Sequence, residues 1–187
     1  RFTLASVESW TKNDLLRSFD GDGYRRMRVV SRMRKAVVVY VSYSGNTEEI
    51  AIHIGKQLKE KGLEVDVFDV TYLSLSIDVT AYDVIFLGAF TWDYGSVPDE
   101  LEDFLYRTSI EHEHVAIFGS GDTQFGGEPL YCKAVDTLRL RLNSKFPGLK
   151  IEQSPRGRQL KRINKWLERV LNHVGDESKD VRTKVSQ

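Results

Sequence analysis

The feature that most constrains this sequence is a regular alternation of short apolar runs with longer segments whose apolar residues recur at helical spacing. The predicted strands are residues 35–41, 63–70, 82–90, 114–119 and 149–153. The predicted helices are residues 47–61, a helix opening at Pro98, 131–142 and 159–173, while 74–81 shows no clear pattern. Parallel strands need crossover connections, which usually contain helices. The alternation therefore predicts an α/β, three-layer sandwich with a five-stranded, parallel, doubly wound sheet.

The two ends of the chain do not follow this alternation. Residues 1–34 end in a cluster of arginines before the first strand, which suits either a basic docking arm or a flexible extension. Composition favours the flexible extension. We therefore predict three parts: an N-terminal extension (1–34), one binding domain (35–173) and a C-terminal tail (174–187).

Composition narrows the function. The 187 residues include 27 basic and 27 acidic side chains, so the zero net charge implies neither nucleic acid nor a membrane surface as a partner. No apolar run approaches the roughly 20 residues of a membrane span, and we expect a cytoplasmic protein. Cys132 is the only cysteine, and the four histidines fit no metal-ligand spacing. No metal site is predicted.

The stretch "SYSGNT", residues 42–47, joins the first strand to the first helix. Ser42, Ser44 and Thr47 supply hydroxyls, and Gly45 lets the backbone approach a ligand closely. The first helical turn adds N–H groups without partners, an arrangement that binds phosphate. A nucleotide-hydrolysing loop would need a lysine that is absent here, so a single phosphate monoester is the predicted guest. The alternative is a well-capped turn that binds nothing.

Two further loops follow neighbouring strands on the same edge of the predicted sheet, "TWDYGSVP" (91–98) and "GSGDTQFGGEPLYC" (119–132). Trp92, Tyr94 and Phe125 are candidates to flank a flat heterocycle, and nearby peptide groups could contact its polar edge. Any one of these aromatics could instead belong to the core. Together with the phosphate turn, they predict a ligand with one phosphate and one large planar ring.

Residues 35–173 resemble the flavodoxin family, short-chain type, through "SYSGNTEEIA", "GAFTWDYGSVPDELEDF" and "FGSGDTQF…YCKAVDTL" in that order. The resemblance implies the flavodoxin-like fold, FMN as cofactor, and low-potential electron transfer between redox partner proteins, a flavin reductase as donor and an acceptor enzyme. The resemblance implies that Ser42, Ser44, Gly45, Asn46 and Thr47 hold the FMN phosphate, and that Tyr43 of the same turn also binds the cofactor. It implies Thr91, Trp92, Asp93, Tyr94 and Gly95 on one side of the ring, and Gly119, Ser120, Gly121, Asp122 and Phe125 on the other.

Two departures from the family pattern concern the ring. Bacterial relatives often carry Gly directly after the tryptophan, where the peptide can flip toward the flavin N5 of the semiquinone, but this chain carries Asp93. Left-handed geometry at a non-glycine residue costs roughly 1 kcal/mol. An insertion at 126–129 leaves either Phe125 or Tyr131 as the stacking aromatic, and we favour Phe125.

Charge is unevenly distributed along the chain. Residues 83–113 contain eight acids and one base, Arg107, which predicts either a negative field that lowers the flavin potential and attracts basic partners, or a solvated helix face. The acids are Asp83, Asp93, Asp99, Glu100, Glu102, Asp103, Glu111 and Glu113.

Residues 150–169 are instead basic, with seven cations against Glu152 and Glu168. The cations are Lys150, Arg156, Arg158, Lys161, Arg162, Lys165 and Arg169. The second ring loop and the later "IEQSPRG" are also similar to the flavodoxin-like activator of class Ib ribonucleotide reductase, and a basic last helix would suit such a dedicated partner. That resemblance implies an alternative function, supplying reduced flavin or an oxidant to a dimanganese subunit.

A third possibility is a non-redox binding module that has lost FMN, against which the intact Ser, Gly, Asn and Thr residues of the turn argue. No nucleophile, base and orienting group form a recognisable set. We therefore predict no catalytic residue, and an electron carrier rather than an enzyme that turns over a substrate.

Overall fold

The computed structural model describes residues 15–17, 27–29, 35–72, 77–108, 110, 114–124 and 127–184, with side-chain surroundings for residues 35–175 of these ranges. Contacts divide the chain into two units, Arg34–Val174, and Arg1–Met33 together with Gly175–Gln187. In the second of these, β1 (Leu15–Arg17) and β2 (Met27–Val29) form an antiparallel pair. The flexible extension stays a prediction, since most of residues 1–34 lie outside the described residues.

The first unit is built on one parallel sheet. Its strands are β3 (Lys35–Tyr40), β4 (Glu64–Asp69), β5 (Val84–Phe90), β6 (Val115–Gly121) and β7 (Leu149–Glu152). They lie in the order β4-β3-β5-β6-β7, and every neighbouring pair is parallel. The predicted five-stranded sheet is confirmed. Strand order reverses at β3, which places the crevice typical of such folds between the carboxyl ends of β3 and β5.

Helices connect the strands. They are α1 (Asn46–Glu60), α2 (Asp99–Arg107), α3 (Gly127–Leu130), α4 (Lys133–Arg141) and α5 (Arg158–Lys184). Between β4 and β5, part of the unassigned segment 74–81 lies outside the described residues, and Val79–Ala81 forms one 3₁₀ turn.

Two helices differ from the sequence prediction. The helix expected at 131–142 begins only at Lys133, because Cys132 before it adopts a left-handed conformation with φ 48°. The last helix was expected to end at His173 but continues to Lys184, through most of the predicted tail. Val174 is buried and extends the apolar stripe of Ile163, Leu167 and Val170 by one more turn.

The uninterrupted apolar runs of the sequence are the central strands of the sheet, which lie in the core. Residues of β3, β5 and β6 are almost entirely buried because helices cover both faces of the central strands. The rings of Phe86 on β5 and Trp166 on α5 meet edge to face at 5.8 Å. Central strands packed in this way hold the loops at their carboxyl ends in fixed positions.

Candidate cofactor site

A cleft with a volume of about 590 Å³ opens at the carboxyl ends of β3, β5 and β6. Its lining residues are Ser44, Asn46, Phe90, Thr91, Trp92, Asp93, Tyr94, Gly95, Ser120, Gly121, Asp122 and Leu130. Ten of these were predicted from the sequence as cofactor-binding residues; Phe90 and Leu130 were not. The remaining predicted residues, Ser42, Tyr43, Gly45, Thr47 and Gly119, lie outside the lining, and Phe125 lies outside the described residues.

The turn between β3 and α1 is shaped around one glycine. Gly45 has φ 84° and immediately precedes α1, and its N–H donates to the Oγ of Ser42 at 3.1 Å. The first helical hydrogen bond runs from the N–H of Glu49 to the carbonyl of Gly45. The amides of Asn46, Thr47 and Glu48 consequently have no intrahelical acceptor, and the positive end of the helix dipole lies with them.

The buried hydroxyls of this turn are committed to the protein itself. Thr47 and Ser120 are 1% and 3% exposed, and their hydroxyl oxygens are 2.8 Å apart. The N–H of Ser42 donates to the hydroxyl of Thr71 at 3.1 Å. Thr47 and Ser42 therefore stabilise the turn from behind, and Thr71 is a supporting residue that no local sequence signal identifies.

The loop after β7 holds the other side of the turn. The hydroxyl of Ser154 donates to the side-chain oxygen of Asn46 at 2.7 Å, and Arg156 forms an ion pair with Glu49. The Arg156 guanidinium, with a smaller contribution from Ser154, lowers the pKa of Glu49. A cation thus does lie near the turn, but it comes from more than 100 residues along the chain and is paired.

The first ring loop is a closed turn. The N–H of Trp92 donates to the carbonyl of Ser96 at 3.0 Å, and the N–H groups of Gly95 and Ser96 both donate to the carbonyl of Trp92 at 2.9 Å. Left-handed geometry falls on Tyr94 (φ 49°) and Gly95 (φ 105°). The conformational cost expected at Asp93 is therefore borne by Tyr94.

The aromatic side chains of this loop are exposed, and Trp92 packs against neighbouring rings. Trp92 is 51% exposed and Tyr94 is 89% exposed. The rings of Tyr43, Phe90 and Trp92 form a cluster with centroid separations of 4.8 Å, 5.4 Å and 5.9 Å. Tyr43 also donates its hydroxyl to Glu100, and this hydrogen bond is the main reason that the pKa of Tyr43 is raised to about 12.

Thr91 links the first ring loop to the scaffold. Its hydroxyl accepts the N–H of Ala134 in the first turn of α4 at 3.2 Å. A side chain at Gly95 would come within 2.8 Å of the Cγ of Lys133 in the same turn. The loop therefore lies against α4, a contact between residues about 40 positions apart.

The second ring loop is held by the end of β7. The carboxylate of Asp122 accepts the N–H of Gln124 and the side-chain amide of Gln153, both at 2.8 Å. A Cβ at Gly121 would lie 2.8 Å from the sulfur of Cys132, so this loop passes close to the start of α4. The choice between Phe125 and Tyr131 as the stacking residue stays a prediction.

Gly119 has a different position from the one expected. It lies within β6, where a Cβ would approach the carbonyl oxygen of Ala89 to 2.1 Å. Glycine is required there by the packing of β5 against β6.

The donor set fits a phosphate monoester joined to a planar ring. One end of the cleft offers helix amides, hydroxyls and an asparagine, and the other offers aromatic faces and loop peptides. Within the described ranges, no group of three or more His, Cys, Asp or Glu side chains is arranged to hold a metal ion. Nor does any described helix have the length and apolarity to cross a membrane.

Comparison with known proteins agrees with this geometry. The model of the family "Flavodoxin" matches residues 38–166. The chain is 36% identical over 135 residues to "Probable flavodoxin 2" of Bacillus subtilis, covering 68% of this chain and 87% of that protein. The structure of oxidised Flavodoxin 1 from Bacillus cereus aligns with a TM-score of 0.66 and 34% identity, covering 74% of this chain and 98% of that one.

A third protein, a flavodoxin from Fusobacterium nucleatum bound to flavin mononucleotide, shares the fold with a TM-score of 0.56 at 16% identity, over 75% of this chain and 99% of that one. This chain belongs to the flavodoxin family, as a short-chain member. FMN is the cofactor of that family, whose members are electron carriers.

Proposed function

We propose that the chain holds one FMN across the cleft, with the phosphate at the turn of residues 42–47 and the ring system between the loops 91–95 and 119–125. One observation carries the proposal: a single cleft of about 590 Å³ has the N-terminus of α1 at one end and exposed aromatic side chains at the other. A cleft of this size suits a ligand that is partly apolar and needs a few well-placed polar groups.

The phosphate would be held mainly by backbone. The first-turn amides of α1 point out of its N-terminus, and Ser44 lines the cleft beside them. Because Asn46 accepts the hydroxyl of Ser154 through its side-chain oxygen, its NH₂ group remains for the ligand. No basic side chain is among the described residues that line the cleft, which favours one phosphate over a di- or triphosphate.

The ring would meet both side chains and peptides. Trp92 and Tyr94 provide aromatic faces on the first loop, while Gly121 and Asp122 provide close-lying backbone on the second. The N–H groups of Asp93 and Tyr94 have no acceptor among the described residues, whereas those of Gly95 and Ser96 are already used within the turn. Two peptide donors are thus available for the polar edge of the ring.

Bound FMN would supply one-electron redox chemistry, which the protein tunes. Asp93 and the first turn of α2, with Asp99 and Glu100, contribute negative charge on the ring side. Glu102 and Asp103 are instead paired with Arg141 and Arg107. The negative charge disfavours a further negative charge on the ring and attracts basic surfaces. We therefore propose a low-potential carrier in the cytoplasm, serving a flavin reductase as donor and an acceptor enzyme.

A second candidate function rests on α5. Its cations Arg158, Lys161, Arg162, Lys165 and Arg169 are all exposed, whereas Lys150 and Arg156 are paired with Asp136 and Glu49. An exposed basic stripe suits a dedicated acidic partner, such as a class Ib ribonucleotide reductase subunit. The proteins matched above carry the name flavodoxin, so the general electron carrier is the function that we propose first.

The test uses two flavins that differ only in the phosphate. FMN and riboflavin are titrated into the apoprotein, and binding is followed by flavin fluorescence. We expect one equivalent of FMN to bind and riboflavin to bind far more weakly, because riboflavin lacks the group that the turn would hold. Equal affinity for the two flavins would contradict the phosphate placement, and absence of binding to either would support the non-redox alternative.

Anaerobic reductive titration of the FMN-loaded protein then separates the redox roles. Two well-separated potentials, with the second low, would support the one-electron carrier. Two potentials that lie close together would favour the ribonucleotide reductase activator.

A further inference from the structure

We infer that Tyr43 and Glu100 form a positioning pair that holds the side chain of Trp92 at the ring side of the cleft. The inference rests on the proposed function. Tyr43 belongs to the phosphate turn, Trp92 to the first ring loop and Glu100 to the first turn of α2. Three segments that are separate in the sequence therefore meet at one tyrosine.

The rings are close and steeply inclined. Tyr43 lies 5.4 Å from Trp92 at an interplanar angle of 76°, and 4.8 Å from Phe90 at 54°. Edge-to-face arrangements at these distances are favourable beyond the area that they bury. Trp92 is otherwise half exposed and sits on a loop, where an unsupported side chain would sample several rotamers. Tyr43 and Phe90 restrict it from one side.

The hydroxyl of Tyr43 fixes the tyrosine itself. It donates to the Oε1 of Glu100 at 2.6 Å, and Tyr43 is also half exposed. A short hydrogen bond to a carboxylate is stronger than one between neutral groups. Glu100 thereby fixes the ring of Tyr43, and through it the orientation of Trp92.

Glu100 has a feature that stability alone does not explain. Its second oxygen, Oε2, is buried and has no hydrogen-bond partner among the described residues. A buried acceptor without a partner costs free energy, so the position of this carboxylate calls for an explanation. Holding Tyr43 in place is the function that the contacts of Glu100 support.

This inference changes the role expected for Tyr43. The sequence placed it among the cofactor-binding residues, but it does not line the cleft, and its hydroxyl is committed to Glu100. Tyr43 would therefore influence FMN binding through Trp92 rather than by touching the phosphate.

The test is a double-mutant cycle on FMN affinity. We expect Tyr43→Ala to weaken FMN binding about tenfold, since one aromatic contact and the orientation of Trp92 are lost together. Tyr43→Phe keeps the ring and should bind FMN more tightly than Tyr43→Ala. In a Trp92→Ala background, Tyr43→Ala should have little further effect, because the residue through which it acts is gone. Tyr106→Ala is the matched control: this tyrosine of α2 is 89% exposed.

A second cycle addresses the hydroxyl. Tyr43→Phe and Glu100→Gln should each weaken FMN binding about threefold, and the double variant should be no weaker than the weaker single one. The near-ultraviolet circular dichroism of the apoprotein should change in the tryptophan region for Tyr43→Ala and stay unchanged for Tyr106→Ala. This signal requires no flavin, and a change in the tryptophan region that disappears when Tyr43→Ala is made in the Trp92→Ala background reports the position of Trp92.

The outcomes separate this inference from the proposed function. Wild-type protein that binds FMN, with Tyr43→Ala binding it equally well, would overturn the inference and leave the function standing. Fully additive effects of Tyr43→Ala and Trp92→Ala would also overturn it. Wild-type protein that binds no FMN would overturn both.

Discussion

The two ends of the cleft are built in opposite ways. At the phosphate turn, Ser42 and Thr47 are 9% and 1% exposed and their hydroxyls are used within the protein. At the first ring loop, Trp92 and Tyr94 are 51% and 89% exposed, and Tyr94 adopts a left-handed conformation.

The contrast reflects what each end has to bind. A phosphate can be bound by backbone amides, so the turn uses its side chains to hold that backbone still before the ligand arrives. A planar ring must be covered by side-chain faces, which have to remain accessible. We therefore expect substitutions at the phosphate turn to reduce folding stability and binding together, and substitutions at the ring loop to affect them separately.

We expect the largest loss of folding stability from a substitution in β6, the strand that carries residues to both ends of the cleft. Gly119→Ala would place a Cβ within 2.1 Å of the Ala89 carbonyl and 2.6 Å of the Val135 side chain. The carbonyl is backbone of the neighbouring strand and cannot move aside, so we expect a loss of about 3 kcal/mol of unfolding free energy. Urea denaturation followed by circular dichroism measures it.

A glycine in open space provides the control for that prediction. Apart from the backbone of α5 itself, no atom of the described residues lies within 4 Å of the Cβ that Gly175→Ala would add. This variant should be unchanged or more stable, by at most about 1 kcal/mol. Equal destabilisation by the two variants would contradict the packing explanation for Gly119.

Thr47→Val should cause the next largest loss of folding stability. It removes the hydroxyl that pairs with Ser120 and leaves that buried group without a partner. We expect losses of about 1–3 kcal/mol in unfolding free energy and in FMN binding, measured by denaturation and by fluorescence titration. Thr47→Ser keeps the hydroxyl and should behave like the wild type. Unchanged FMN affinity in Thr47→Val would contradict the expectation that stability and binding fall together at this turn.

At the ring loop, Tyr94→Asn should raise folding stability, whereas Thr47→Val lowers it. Asparagine tolerates the left-handed conformation better than tyrosine, and the tyrosine ring is exposed, so little packing is lost. We expect the apoprotein to gain about 0.5 kcal/mol of unfolding free energy, while FMN binds more weakly for lack of one aromatic face. Tyr106→Asn, at an equally exposed tyrosine in α2, is the control for both measurements. A Tyr94→Asn protein less stable than the wild type would show that the ring does pack.

The smallest expected effect is on the pH dependence of folding stability, through Glu49 beside the phosphate turn. Arg156 and Ser154 hold the pKa of Glu49 below its ordinary value of 4.5. A lowered folded-state pKa stabilises the protein at pH values above 4.5, and this contribution is lost as the pH falls through the lowered value. Glu49 is exposed, so the contribution is small.

Glu49→Gln should therefore flatten the decline of stability below pH 4.5, as measured by thermal unfolding across that range. Glu60→Gln, whose ion pair with Lys56 is also exposed on α1, should leave the decline unchanged. A decline that is identical in Glu49→Gln and in the wild type would show that the pair contributes nothing.

Most of the site loops could be found from the sequence because they follow apolar strands directly. Trp92 and Gly121 line the cleft as expected, since parallel strands bring their carboxyl ends to one edge. Phe90 was missed because it reads as the last residue of a buried strand. Leu130 was missed because the short helix α3 carries no periodic signal of its own.

The supporting residues could not be predicted in the same way. Thr71 contacts Ser42 across 29 positions, and Ser154 contacts Asn46 across 108. These pairs depend on which strands become neighbours, and single polar residues in loops have no pattern from which a partner can be read. For the same reason, the sequence could not identify Glu100 as the hydrogen-bond partner of Tyr43.

The sequence by itself determined the layers of this protein, the carboxyl edge that bears the site and the turn that suits a phosphate, because hydrophobic periodicity and turn chemistry act over a few neighbouring residues. Only the tertiary structure decided which hydroxyls face the cleft and which stabilise it from behind. It alone placed the left-handed residue at Tyr94 and brought Tyr43, Trp92 and Glu100 together. Those outcomes depend on contacts between segments far apart in the chain, which form only when the sheet and helices pack.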